Sequence, residues 1–205
     1  MVDRASCRRL PTCATSGTVG QGKRIAPCGL VPPHQVIPIL IEGAVLSAAL
    51  STVIVASVLY NPRLWINDAP PRVRELAPPL TPVERRARSI VGALLLLTFA
   101  VVTIWSAVRL LARYGETLSI ATAFWHFLGV FFLFNLFDLV VIDWLVLLVL
   151  RPRALTRLSV PGLTHEETVG SFAYHFRGFV IGLGIITVGG LMAALLTYLA
   201  KLGQF

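Results

Sequence analysis

Apolar residues run in four long blocks along this chain, separated by segments that hold most of the charge. Residues 36–60 contain one charged side chain, Glu42. Residues 89–108 contain none, residues 119–150 contain Asp138 and Asp143, and residues 178–200 contain none. A helix rises 1.5 Å per residue, so about 20 residues cross a hydrocarbon layer of about 30 Å. Each block meets that length. None alternates apolar and polar positions as a membrane barrel strand does, and in lipid a lone spanning segment must satisfy its backbone hydrogen bonds internally. The pattern predicts an all-α integral membrane four-helix bundle, with helices at about 36–60, 82–113, 119–150 and 178–200.

The polar segments carry their own punctuation. Asn61-Pro62-Arg63-Leu64-Trp65 stops the first helix at a proline and offers a tryptophan to the headgroup level. Asp68-Ala69-Pro70-Pro71 predicts a turn before a short helix through Arg72–Leu76. Thr81-Pro82-Val83-Glu84 is a capping box with proline at the first helical position, so the second helix should start near residue 82. Thr164-His165-Glu166-Glu167 is a second capping box. The apolar spacing of Val169, Phe172, Ala173 and Phe176 extends it into an amphipathic interfacial helix leading to the fourth span. Val160-Pro161-Gly162 predicts a turn ahead of it.

Composition adds a second, independent argument. Of the 205 residues 56% are hydrophobic and 14% are charged, against about 45–50% and about 25% in soluble domains. That balance excludes a disordered chain and is too apolar for a water-soluble enzyme of this size. Residues 1–35 are the exception. They are rich in Gly, Ser, Thr, Pro and Arg and predict a disordered basic tail. All three cysteines, Cys7, Cys13 and Cys28, lie there without a CxxC pair, so neither a metal nor any other cofactor is expected.

The net charge of +8 would suggest nucleic acid in a soluble protein, but no nucleic-acid motif accompanies it and no such partner is expected. In a membrane protein loop arginines set orientation instead. Six of them lie in loop 61–88 and four in loop 151–177, against Arg109, Arg113, Lys201, Lys23 and Arg24 on the other side. Counting the whole tail narrows the difference to ten against eight. The excess predicts basic loops on the cytoplasmic face, against anionic headgroups, with both termini extracytoplasmic.

Helix packing is written in small residues. Gly178, Gly182, Gly189 and Ala193 share one face of the fourth helix, and Ala44, Ser47, Ala48 and Ser51 form a comparable stripe on the first. Such stripes let helices approach closely in lipid. They are expected to pack against each other or across a homo-oligomer or membrane-protein partner.

The candidate chemistry is intramembrane. Glu42, His126, Asn135, Asp138 and Asp143 are polar groups that lipid-facing helices ordinarily avoid. Glu42 and His126 lie about seven residues into parallel helices, at matching depth. Asp138 falls about midway along the third helix, on one face with Phe127, Phe131 and Phe134. Asn135 is one turn back from Asp138. On an ideal α-helix Asp143 is turned about 140° from Asp138, so the two carboxylates should not stand side by side. His165, Glu166, Glu167 and His175 are spaced too widely for a single ion.

The motifs Asn61-Pro62-Arg63-Leu64-Trp65, Asn135-Leu136-Phe137-Asp138 through Asp143-Trp144, and Tyr174-His175-Phe176-Arg177-Gly178-Phe179 resemble those of a family of small polytopic bacterial membrane proteins without an assigned function. The resemblance covers about residues 36–200. It implies a four-helix protein of the bacterial cytoplasmic membrane and brings no mechanism with it. Two readings stand. One is a non-enzymatic accessory or assembly component whose polar groups specify packing. The other is a small proton-coupled transporter or solute-binding membrane protein that uses Asp138. Enzymatic chemistry would need a nucleophile or metal cluster that the sequence does not display.

Overall fold

The computed structural model describes residues 33–152 and 162–203. The expectations for the N-terminal tail with its cysteines, and for the segment containing Arg153, Arg157 and Pro161, lie outside these residues. The described chain is all-helical. Four helices are long and apolar enough to cross a membrane, and short helices lie between them. They are α1 (Pro33–Tyr60), α3 (Pro82–Tyr114), α4 (Ile120–Phe137, continued by a π-helix over Asp138–Leu150) and α6 (Phe172–Leu202). The short helices α2 (Pro71–Leu76) and α5 (His165–Val169), with a 3-10 turn at Pro62–Asp68, gather at one end of the bundle, the loop face.

The bundle is organised around α4, which packs against α6 on one side and α1 on the other, while α1 also meets α3. Glycine sets these approaches. A Cβ on Gly43 of α1 would fall 2.6 Å from Leu133 of α4, and one on Gly129 would fall 2.8 Å from Ile39 of α1. On α6, a Cβ at Gly190 would meet the Leu128 backbone at 3.3 Å, and one at Gly182 would collide with the Asn135 amide. The small face of α6 therefore lies on α4, not on α1, which does not pack closely with α6. On α1 the buried small positions are Gly43, Ser47 and Ser51, while Ala44 and Ala48 face outward. Ser47 and Ser51 of the expected stripe are thus buried, and Gly43 joins them in place of Ala44 and Ala48. A Cβ on Gly189 would stand 3.8 Å from the Phe131 ring, Ala193 packs on the core, and a Cβ on Gly178 would meet nothing within 4 Å.

Local signals explain the helix ends. Thr81 accepts from the Glu84 amide and Glu84 accepts from the Thr81 amide, with Pro82 following the cap. Thr164 and Glu167 repeat the arrangement at α5. The amphipathic helix expected to run through residue 177 is broken at Gly170, whose φ of 99° favours glycine. Ser171 caps a new helix there by accepting from the Tyr174 amide. The last span consequently begins at Phe172, two turns ahead of the expected start.

The loop face is laced together. Arg63 Nε and Asn61 Nδ2 both donate to Glu84 Oε1, at 2.8 and 3.2 Å. Trp65 Nε1 donates to Ser57 Oγ at 2.9 Å. Ile66, Ala69 and Val73 bury themselves against one another, and Tyr174 donates to the Asp68 carbonyl at 3.0 Å. At the opposite end, Lys201 Nζ donates to the carbonyls of Glu116 and Leu118, at 2.6 and 3.0 Å. That clamps the short α3–α4 link to the end of α6.

Candidate functional site

The polar groups of the spans separate into two sites. The first lies toward the terminal face. Ser106 of α3 donates to Glu42 Oε2 at 2.5 Å, and His126 Nε2 lies 2.9 Å from the same carboxylate oxygen and 3.0 Å from Ser106 Oγ. An Nε2–H imidazole donates to both oxygens at once. Arg109 Nε stands 3.6 Å from the other oxygen, Oε1, and its guanidinium lies 4.9 Å from the centroid of Trp105. Three helices meet at this clasp. Glu42 and His126 are 1% exposed and Ser106 is 0% exposed, so no substrate reaches it. Its geometry suits packing: burial holds the polar groups to one another, and removing one strands the rest.

Ser106 was not legible as a member of the clasp, because one hydroxyl in an apolar run carries no special pattern. Its depth could have found it: Arg109, which approaches the same carboxylate, follows it by three residues, nearly one turn.

The second site is a cavity of about 650 Å³ at the loop face. The π-helix builds one wall. Its hydrogen bonds run i to i+5, as in Arg151 N–H to Val146 O at 3.1 Å. This register brings residues five apart close to one face. Asp138 and Asp143 therefore line the same cavity, which corrects the α-helical expectation of about 140° between them. α6 supplies the facing wall. His175 Nδ1 lies 3.1 Å from Asp143 Oδ2, and Asn135 Nδ2 donates to the Phe179 carbonyl at 3.2 Å. These two contacts bracket Asp138 between the levels of His175 and Phe179, a rise of about 6 Å on α6. Arg177 lies within that interval, and Tyr174 adjoins it. Asp138 is thus level with the first turns of α6, while on α1 it stands about five residues beyond the Gly43–Leu133 contact, near the middle of that helix.

The cavity mouth is formed by the 3-10 turn, α2 and the start of α6, which contribute Asp68, Arg74, Tyr174 and Arg177. Asp68 is exposed, yet partial desolvation by the surrounding walls pushes its carboxyl above the ordinary value, while Arg88 and Arg74 pull it down. The two hydroxyls of the lining are both engaged: Thr168 donates to the Thr164 carbonyl and Tyr174 to that of Asp68. Among the described residues no three His, Cys, Asp or Glu side chains converge as a metal set. His165 Nε2 donates to the Leu147 carbonyl instead, at 2.9 Å, and Glu167 caps α5 while facing Arg72 at 3.7 Å.

Between the two sites lies a sealed apolar layer. Leu46, Leu50, Phe127, Val130 and Phe131 are buried there, and the Phe131 ring packs against Phe99 at a tilt of 39° with centroids 4.8 Å apart. His126 and Asp138 are separated by about 18 Å of helical rise. Glu42 and His126 therefore come together, as do Asp138, Asp143 and Asn135, but the two groups do not join.

Comparison with protein-family models, with curated proteins and with solved structures finds no match.

Proposed function

We propose that this chain is a non-enzymatic, multi-pass protein of a bacterial cytoplasmic membrane that binds a small solute bearing a cationic group in the loop-face cavity. The observation that carries this reading is the shared recess of Asp138 and Asp143, with Asn135 and His175 beside them. Two carboxylates in a partly desolvated pocket attract an ammonium group far more strongly than they would in water. The volume falls within the range of about 300–1,000 Å³ usual for small-molecule sites. Binding is favoured over catalysis because the lining hydroxyls already donate to backbone carbonyls. The Glu42–Ser106–His126 clasp serves as the packing element that fixes the bundle around the cavity. The arginine excess of the loops supports a cytoplasmic location for the cavity mouth, over anionic lipid.

Ethanolamine is a direct probe. Calorimetric titration of the purified, detergent-solubilised protein should show saturable binding. Asp138→Asn should weaken it at least tenfold while the circular dichroism spectrum and melting temperature hold. Equal binding by both proteins, or none by either, refutes the reading.

A further inference from the structure

The cavity holds two carboxylates on its inner wall and, at its mouth, two guanidiniums against the single carboxylate of Asp68, and this arrangement says more than a cation alone requires. Asp138 and Asp143 belong to the π-helix that forms the inner wall, whereas Arg74 on α2 and Arg177 on α6 are exposed at the mouth. Neither arginine has a carboxylate within 4.0 Å among the described residues. A simple cation would satisfy Asp138 and Asp143 and leave Arg177 at the rim without an ion pair, and Arg74 with only its longer-range attraction to Asp68. A simple anion would satisfy the guanidiniums and meet two carboxylates further in. A molecule with an ammonium at one end and an anion at the other answers both.

Guanidinium groups favour planar or multi-oxygen anions such as phosphate, which they bind through paired hydrogen bonds. The depth points the same way. Trp65, Tyr174 and Arg177 surround the mouth, and such residues mark the level of lipid headgroups. An apolar track leaves the cavity here as well: Ile181 lines it, and Ile181 and Ile185 continue along the outward face of α6, 57% and 68% exposed.

From these features we infer that the cavity takes a phosphoethanolamine zwitterion, its ammonium between Asp138 and Asp143 and its phosphate at Arg74 and Arg177. This rests on the cation-binding reading above and specifies its ligand. The same chemistry is offered by a free phosphoethanolamine and by the headgroup of a phosphatidylethanolamine whose acyl chains lie along Ile181 and Ile185.

The test compares three soluble probes on the delipidated, detergent-solubilised protein: O-phosphoethanolamine, ethanolamine and methyl phosphate. Phosphoethanolamine should bind at least tenfold more tightly than either half. Arg177→Gln, and independently Arg74→Gln, should erase much of that advantage without weakening ethanolamine binding, since each removes a positive charge near the ammonium site. Gly178→Leu, whose Cβ enters open space in the lining, should weaken every probe. Native mass spectrometry with equal phosphatidylethanolamine and phosphatidylcholine separates the sources. Selective retention of the first identifies a lipid headgroup. Binding of free phosphoethanolamine without lipid selectivity identifies a soluble solute. Both results support the inference. If ethanolamine binds in an Asp138-dependent way but phosphoethanolamine binds no more tightly, the zwitterion is wrong and the cation site stands. If no probe binds and no lipid is retained selectively, both fall.

Discussion

Glu42 and His126 lie 84 positions apart in the chain, yet Oε2 of one is 2.9 Å from Nε2 of the other in a contact closed to solvent. Ser106 completes it from a third helix. Removing one member of a buried hydrogen-bonded pair costs more than the pair contributes, because the survivor stays buried without its partner. His126→Ala should destabilise the solubilised protein by about 3–5 kcal/mol. Thermal or denaturant unfolding followed by circular dichroism measures this, and a loss below about 1 kcal/mol would show that the clasp holds little of the bundle together.

Gly178 and Gly182 occupy successive turns of α6 and should respond oppositely to alanine. At Gly178 a Cβ meets nothing within 4 Å, so Gly178→Ala gains helix propensity, about 0.5–1 kcal/mol. At Gly182 it collides with the Asn135 side chain that donates to the Phe179 carbonyl. Gly182→Ala should therefore cost about 1–3 kcal/mol through overpacking. Paired melting curves read both signs, and a shift in the same direction for the two variants contradicts the assigned packing.

The contrast between these glycines also marks where sequence reading stops. Four spans and both capping boxes follow from local pattern: a run of bilayer length with at most two charges, and Thr81 three residues before Glu84. The small-residue stripe of α6 marks a packed face at Gly182, Gly189 and Ala193 but not at Gly178, and it does not name the neighbour, since α1 and α4 both present apolar surfaces of suitable size. The pairing of Asp138 with Asp143 was illegible for a different reason. It depends on the backbone hydrogen-bond register, and Asp138–Leu150 reads as an ordinary apolar helix until that register is seen. Gly170 ends α5 through a positive φ, and the apolar spacing of Val169, Phe172, Ala173 and Phe176 runs across that break without showing it.

Glu84 joins three parts of the loop face, since it caps α3 and accepts from Asn61 and Arg63. Glu84→Ala removes the cap acceptor and the ion pair together, an effect of about 2 kcal/mol. Residues 62–81 should loosen more than the spans. Limited trypsin digestion should then cut at Arg72 and Arg74 several-fold faster than in the parent, at an unchanged rate of cleavage after Arg113.

Orientation is open to direct labelling. In a background with Cys7, Cys13 and Cys28 replaced by serine, Glu116→Cys reports the terminal face and Arg74→Cys the loop face. The arginine distribution predicts that an impermeant maleimide labels the Glu116→Cys protein in intact cells and labels the Arg74→Cys protein only after lysis. The reverse pattern would invert the bundle in the membrane and place the cavity mouth outside.

The central claim is that the intramembrane polar groups form one open site and one sealed one. Thiol reactivity tests it most directly. In the same cysteine-free background, Asp138→Cys and Ser106→Cys are each exposed to a small water-soluble methanethiosulfonate reagent after solubilisation, with folding verified by gel filtration. The Asp138→Cys thiol should react readily, because it lines a cavity of about 650 Å³ open at the loop face, and the Ser106→Cys thiol should remain inert until the protein is denatured. Equal reactivity at the two positions, or an inert thiol at position 138, would contradict the account.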